Sequence, residues 1–198
     1  MTSLIKRALA FTAATTMVAA AAQAAPFDAI DRATDAPLYS YEKVYIAPVE
    51  TDFSEHPVRR STRDLRGFRP ISERDQARKA SDFAEELQSA FGKKYLLVDA
   101  PGDGILTIEA TLTKLVSTRP TIADARSRTG LSFSSLYVGG ADYQINLIEG
   151  STLLTRIEEK QSNNSNLNDG LPRVGIWADA DRSFDRFARQ LARYVENN

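Results

Sequence analysis

Residues that commonly carry catalysis are scarce in this chain. It contains one histidine, His56, and no cysteine. A serine triad needs a histidine base, and zinc needs several histidine, cysteine or carboxylate ligands. No G-x-S-x-G motif is present, and His56 precedes Pro57 in a stretch without a helical or strand period. We therefore interpret His56 as an exposed loop residue and predict neither a triad nor a transition-metal site.

A pair of carboxylates could still hydrolyse a glycan by acid–base chemistry. Glu109 and Asp142 lie on the polar faces of two predicted strands and could be neighbours. Polar strand faces carry such residues routinely, so a surface role is the simpler interpretation. Asp99 and Asp103 flank a turn, which gives both a structural explanation. We predict no catalytic residue and keep a carboxylate-dependent enzyme as an alternative.

Ligand-binding motifs are equally sparse. The turn before Ile105 lacks the length and the lysine of a phosphate-binding loop. A calcium loop is weakly suggested by Asn164, Asn166 and Asn168. Asp169 and Gly175 then occupy the positions where the calcium motif needs glycine and glutamate. We predict no metal and no cofactor.

A basic segment is the best candidate for binding an anion. Between Arg59 and Lys79 basic residues clearly outnumber acidic ones. Such a stretch could contact the phosphates of lipids or another anionic polymer, although a solvated loop explains it as well. The candidate anion-binding residues are Arg59, Arg60, Arg63, Arg66 and Arg69.

The first 24 residues have the three parts of a secretory signal peptide. Lys6 and Arg7 form a basic start, Ala8–Ala22 is small and apolar, and Ala22–Ala24 offers an A-x-A cleavage site. We expect export to the periplasm or beyond after cleavage near Ala24. The absence of cysteine argues against a lipid anchor and against disulfides.

Charge and hydropathy exclude two further classes. The net charge is −1, and loss of Lys6 and Arg7 would make the mature chain more acidic. A nucleic-acid-binding protein is usually basic, so we predict no nucleic-acid partner. No apolar segment after the signal peptide is long enough to span a bilayer, so we predict no transmembrane segment.

The elements that must position these residues follow from hydrophobic periodicity. A helix is predicted from Ser72 to Gly92, with Ser72 as the N-cap, and a second from about Ala178 to Val195. Strands are predicted where apolar and polar residues alternate or apolar residues cluster. The five predicted strands are Lys43–Val49, Tyr95–Val98, Ile105–Leu115, Ala141–Leu147 and Leu153–Ile157.

The order of these elements predicts an α+β fold. We expect a β-hairpin from Tyr95–Val98 and Ile105–Leu115 at the sheet centre, a parallel crossover from the first strand, and a second hairpin around Gly150. Both helices would cover one face of a mixed sheet of about five strands, forming a two-layer sandwich. Residues 41–198 would form a single domain, preceded by an N-terminal arm at 25–40.

The side chains opposite each apolar stripe are expected to face solvent or a partner. On the sheet these include Thr107, Glu109, Asp142 and Gln144. On the last helix Arg182, Arg186, Arg189 and Arg193 line one side. Asp185 is placed to pair with Arg189 and Asp179 with Arg182, which predicts a salt-bridged solvent face.

The order of motifs resembles the family known as domain of unknown function 3313. The resemblance rests on KVYIAPVE, LQSAFGKKY, VDAPGDGILTIEATLTKL, the GGAD strand and WADADRSFDRFARQLARYV. It implies an exported bacterial protein without an established activity, so it transfers no catalytic residue. Many members resemble lipoproteins, but this chain lacks the cysteine that an anchor requires.

The most economical function is a non-enzymatic binding or envelope-accessory module. An envelope protein, or an anionic lipid or polymer, would be its partner. The alternatives are an enzyme acting on envelope glycan or lipid through carboxylates, and an anionic-surface binder acting through Arg59–Arg69.

Overall fold

The computed structural model describes residues 26–54, 72–116, 140–160 and 177–198. In chain order the strands are β1 (Ala29–Arg32), β2 (Lys43–Ile46), β3 (Glu50–Thr51), β4 (Leu96–Val98), β5 (Ile105–Val116), β6 (Gly140–Glu149) and β7 (Thr152–Lys160). The helices are α1 (Glu73–Phe91) and α2 (Ala178–Asn197), and a short 3₁₀ helix spans Leu38–Ser40.

The strands form one mixed sheet in the order β1-β7-β6-β5-β2-β4, with β3 also paired to β5. The α+β class is confirmed, but the described residues form seven strands rather than about five. The two additional strands are β1 and β3. Both are short, and their residues alternate too weakly to be distinguished from loop by sequence pattern.

The first predicted hairpin is wrong. β4 and β5 do not pair with each other, because β2 lies between them and is parallel to both. The parallel pairing of the first strand with β4 is confirmed. The six residues from Asp99 to Gly104 therefore cross over β2 instead of forming a hairpin turn. So short a crossover is feasible because β2 has only four residues and β4 only three.

The second predicted hairpin is confirmed. β6 and β7 pair antiparallel around Gly150, whose φ is 57°. β5 pairs antiparallel with β6 along its length, and a register shift lies between Leu112 and Lys114. β5 is thus an interior strand, bordered by β6 on one side and by β2 and β3 on the other.

Local capping fixes where α1 begins. The Ser72 side chain accepts a hydrogen bond from the backbone N–H of Asp75 at 3.1 Å, as the sequence predicts. Glu73 and Asp75 lie in the first turn, where the positive end of the helix dipole favours acids. Gly92 ends the helix with a φ of −62°, and its backbone N–H donates to the carbonyl of Gln88 at 2.8 Å.

Both helices contact the same face of the sheet. On β6 the ring of Tyr143 stacks on Phe187 of α2 with centroids 4.4 Å apart, and lies 5.0 Å from Phe83 of α1. Tyr143 is opposite Leu112 in the β5–β6 register, so the buried side chains of both strands point toward the helices. The core of the described residues lies between this sheet face and the helix pair.

The two helices run parallel and are joined by ion pairs near both ends. Lys79 contacts Asp181 at 2.6 Å, and Lys94 contacts Glu196. Both pairs join residues 102 positions apart, so the helices advance together in the same direction. Lys79 also contacts Asp82 at 2.5 Å, and its side chain is only 5% exposed.

The segment predicted as an N-terminal arm contributes to the sheet and to the core. Its strand β1 pairs antiparallel with β7. Phe27 is buried, with its ring centroid 5.4 Å from that of Phe187 and 5.7 Å from that of Tyr194. Leu38 is fully buried and donates its backbone N–H to the carbonyl of Asn198 at 3.1 Å.

Neither α1 nor α2 is long and apolar enough to cross a lipid bilayer, and these are the α-helices in the part of the chain that the structure describes.

Candidate interaction surface

The two carboxylates considered for catalysis do not converge. Glu109 is exposed and lies opposite Asn146 on β6, whereas Asp142 lies opposite Lys114. Four residues of β6 separate these positions, which is about 13 Å along the strand. Asp142 is also buried, with the Lys114 ammonium 3.6 Å from its carboxylate, so its predicted exposure is wrong.

The turn aspartates also have structural surroundings. Asp99 and Asp103 are exposed at the two ends of the crossover. The crossover ends at Gly104, whose φ of 70° is a backbone conformation that favours glycine. Its N–H donates to the Glu149 carboxylate at 3.2 Å, which ties the crossover to the end of β6.

Glu149 also accepts a hydrogen bond from Tyr41 at 2.8 Å. Burial, followed by the hydrogen bond to Glu149, raises the pKa of Tyr41 to about 12. The phenol therefore remains a donor at neutral pH. Tyr41, Glu149 and Gly104 join three separate segments, which is a positioning role for Glu149 rather than a reactive one.

A second acidic site lies where β1 meets β7. Burial raises the pKa of Glu159, and the nearby Asp28 and Asp142 carboxylates raise it further. The Asp28 N–H, at 3.2 Å from the Glu159 carboxylate, and the Arg186 guanidinium act in the opposite direction. The Asp28 carboxylate accepts the backbone N–H of Lys160 at 2.7 Å, so it closes the end of the β1–β7 pair.

Among the described residues no group of three histidine, cysteine, aspartate or glutamate side chains is arranged to hold a metal ion. His56 and the weak calcium motif at Asn164–Asp169 lie outside the described residues. So do the five candidate anion-binding residues, Arg59, Arg60, Arg63, Arg66 and Arg69.

The most unusual surface is the β4 edge. Leu96 is 62% exposed and Leu97 is 36% exposed, and they are two of the three large apolar side chains exposed in the described part of the chain. β4 is the terminal strand of the sheet on this side. Exposed apolar edge strands are rare because they promote pairing with other chains. Sequence reasoning placed Tyr95–Val98 at the sheet centre and so missed this exposure.

The backbone of β4 is available for a further strand. The Leu96 N–H donates to the carbonyl of Glu42 at 2.9 Å, toward β2. In a parallel ladder the backbone groups of alternate residues point to the same side. The N–H and C=O of Leu97 therefore point away from β2, where an incoming strand would accept and donate hydrogen bonds.

The opposite edge of the sheet is protected. β1 exposes Asp31 and Arg32, which are charged, and its neighbouring residue Asp28 is bonded to the β7 backbone. Charged side chains on an edge strand disfavour strand addition. The sequence Leu96–Val98 has no charged residue. The uncharged β4 edge therefore favours the addition of another strand, whereas the charged β1 edge disfavours it.

An apolar band on the helix-free face leads inward from β4. The register aligns Val98, Tyr45 and Thr107 across β4, β2 and β5. The same row continues through Ile148 to Leu153. Thr107 is only 5% exposed, so its predicted exposure is wrong, because the larger side chains of Tyr45 and Ile148 flank it. Elsewhere on this face Glu109 is exposed, as predicted, and Arg156 is exposed as well.

Comparison with curated proteins gives no sequence match. One similar solved structure is a dodecamer of a PelC point variant from Paraburkholderia phytofirmans, with 8% sequence identity and a TM-score of 0.40. The alignment covers 83% of this chain and 96% of that chain.

The family comparison covers most of the sequence. A profile described as "Protein of unknown function (DUF3313)" matches residues 20–191. The match includes the strands β1 to β7, the whole of α1 and most of α2. The chain therefore belongs to the DUF3313 family of proteins of unknown function.

Proposed function

We propose that this protein is an exported, non-enzymatic binding module that holds an extended segment of an envelope protein on its β4 edge. The observation that carries the proposal is the exposed, uncharged edge at Leu96–Val98. Export follows from the basic, apolar and A-x-A regions of residues 1–24, which lie outside the described residues.

Strand addition is the binding mode that fits this edge. The backbone groups of Leu97 supply the hydrogen bonds, and the side chains on either side supply the specificity. Leu96 and Val98 face the helix-free side, where the apolar band begins. Leu97 faces the helix side and lies near Gly92 at the end of α1. A partner strand with apolar residues on both sides would complement this edge.

The surroundings of the acids support a function without catalysis. Glu109 and Asp142 are about 13 Å apart along the sheet, beyond the separation that glycosidase carboxylates use. The Glu149 carboxylate is engaged by Tyr41 and Gly104, and Glu159 by the backbone of Asp28. The separation of Glu109 and Asp142 therefore gives no support to the carboxylate-dependent alternative at this pair. The alternative through Arg59–Arg69 stays a prediction from sequence.

Site-specific photo-cross-linking tests the proposal. A photoreactive amino acid replaces Leu96 in the full chain, produced in its native cell, and the adduct is identified by mass spectrometry. We expect one recurrent adduct, cross-linked through an extended segment of an envelope protein. The matched control places the same amino acid at Ala29, which is exposed on the charged β1 edge. We expect no adduct from this position.

Two results would overturn the proposal. Equal capture at positions 29 and 96 would show that the β4 edge has no preference for a partner. A recurrent adduct with a second copy of the chain alone would replace partner binding by self-association. An adduct that forms only at position 96, and through the same partner peptide in independent experiments, would support it.

A further inference from the structure

The exposed arginines of α2 form a second surface, independent of β4. At about 100° per residue, these side chains fall within a sector of about 60° on the side of the helix opposite its buried stripe. All four are exposed. We call this row the arginine crest, and it consists of Arg182, Arg186, Arg189 and Arg193.

Two of the acids of α2 are held by cations outside this helix. Asp181 and Glu196 lie on the side that faces α1, where they contact Lys79 and Lys94. Asp185 contacts Arg189 and is the one crest pairing of those predicted that the described residues show. Asp179 also has an interaction partner. Because α1 supplies the cations that hold Asp181 and Glu196, these acids do not neutralise the crest.

The crest is therefore richer in uncompensated positive charge than its sequence suggests. Within the described residues Arg182 and Arg193, at its two ends, form no ion pair with an acid. Arg186 is near enough to Glu159 to lower its pKa. The expected salt-bridged face is thus only partly present.

The neighbouring helix places two further arginines beside the crest. α1 runs parallel to α2. Arg74 and Arg78 are exposed on its outward sector, where Arg78 contacts Asp75 at 2.9 Å. Glu85 is the acid that shares this sector. Two parallel helices with outward guanidinium groups present these groups side by side on one surface. In a groove or pocket, by contrast, the guanidinium groups would point toward a single small anion.

We propose that the outer face of the α1–α2 layer binds the surface of an anionic lipid bilayer. The complementarity is electrostatic, because the apolar faces of both helices are already buried in the core. Guanidinium groups bind lipid phosphates well, and each basic residue near an anionic bilayer strengthens binding by about fivefold. The orientation leaves the helix-free face and the β4 edge directed away from the bilayer or beside it.

Vesicle co-sedimentation with the purified full chain tests this proposal. The vesicles contain phosphatidylcholine, either alone or with about a third phosphatidylglycerol. The readout is the additional binding that phosphatidylglycerol causes, so that binding through the apolar N-terminus to neutral lipid is subtracted. We expect this additional binding to fall steeply when NaCl is raised from about 50 to about 500 mM.

Charge reversal locates the site. The double variant Arg182→Glu/Arg193→Glu should lose roughly 20-fold or more of the additional binding, because two of the crest's charges change sign. The double variant Arg182→Lys/Arg193→Lys should retain most of it. Lys43→Glu/Arg156→Glu makes the same change in net charge at exposed positions on the helix-free face and should have little effect. Thermal unfolding confirms that each variant is folded.

The proposal is wrong if the crest reversal and the helix-free-face reversal weaken binding equally, since net charge alone would then explain the attraction. It is also wrong if phosphatidylglycerol causes no additional binding. Binding to a soluble polyanion such as polyphosphate, without binding to vesicles, would replace the bilayer by a linear polymer.

Discussion

At the scale of single residues, Lys79 combines a buried side chain with ion pairs to two acids. Its ammonium lies between Asp82 and Asp181 and is almost completely buried, whereas both carboxylates are partly exposed. Removing the cation leaves two acids that water can solvate. Removing the acids leaves a buried cation without a partner, which is much less favourable.

We therefore expect substitutions on the two sides of this ion pair to differ in size. Lys79→Met should lower the free energy of unfolding by at most about 1 kcal/mol. Asp82→Asn/Asp181→Asn should lower it by about 3 kcal/mol or more. Urea unfolding measures both. If Lys79→Met lowered the free energy of unfolding more than the double aspartate variant did, the attraction between the charges would outweigh the cost of removing Lys79 from water.

A second residue-scale prediction concerns pH and Tyr41. Its folded-state pKa is raised to about 12 from an unfolded value of 10.0. A raised pKa contributes stability that is complete below pH 10 and is lost as the pH rises toward 12. The difference in unfolding free energy between the parent and Tyr41→Phe should thus shrink over this interval. A difference independent of pH would contradict the raised pKa of Tyr41, which burial and the hydrogen bond to Glu149 cause together.

At the scale of elements, local chemistry predicts the helices and the β6–β7 hairpin but wrongly pairs β4 with β5. α1 was predicted from its Ser72 cap and apolar stripe, and α2 from its stripe, because these signals lie within a few residues of one another. β4 pairs with β2, as predicted, but it does not pair with β5, because β2, which is about fifty residues earlier in the chain, lies between them. The Asp99–Gly104 segment has the composition of a hairpin turn, yet it crosses over β2. Alternation indicates which face is buried, not which strand lies alongside.

The crossover yields a prediction of its own. Gly104 has a φ of 70°, and nothing lies within 4 Å of where a Cβ would be. Gly104→Ala should therefore lower the free energy of unfolding by about 1–2 kcal/mol through backbone strain alone. Gly104→Asn should cost less, because asparagine adopts this conformation more readily. Gly102→Ala is the control, at a glycine without a positive φ where the new Cβ would lie 3.3 Å from the Cδ1 atom of Ile105, the end of a flexible side chain. Equal effects of the two alanine variants would argue against strain at Gly104.

The candidate surfaces could be predicted only in part. The residues of the arginine crest and the Asp185–Arg189 pair follow from spacing along the helix. The ion pairs of Asp181 and Glu196 do not, because Lys79 and Lys94 reach these acids from α1 and its C-terminal end. The β4 edge was not identified, because its exposure depends on which strand ends the sheet. Whether a residue is exposed, and which charges surround it, depends on how the helices and strands pack together. The residue pattern within one segment does not show this.

At the scale of the whole molecule, residues near the N-terminus help to close the core. Phe27 contacts Phe187 and Tyr194 on α2, and β1 completes one side of the sheet. Phe27→Ala should lower the free energy of unfolding by about 3–5 kcal/mol. Tyr39→Ala, which changes a side chain that is 64% exposed, should have little effect. Similar small losses from both would mean that the segment before β2 does not contribute to stability.

The two proposed surfaces face different directions, and this gives the molecule a simple organisation. The arginine crest lies on the outer side of the helix layer, and the β4 edge lies at the end of the sheet beneath it. A protein bound to a bilayer through its helices would keep this edge free for a partner strand. Each surface can be tested without the other, since no residue belongs to both.

The yield of the position-96 photo-adduct in a Leu97→Pro background tests the central claim most directly. Proline removes the outward N–H of residue 97, which β2 does not use, while Leu97→Ala shortens the side chain and keeps that N–H. Strand addition predicts that the adduct disappears in the proline variant and persists in the alanine variant, with both proteins folded. Persistence of the same adduct in folded Leu97→Pro would contradict strand addition at β4.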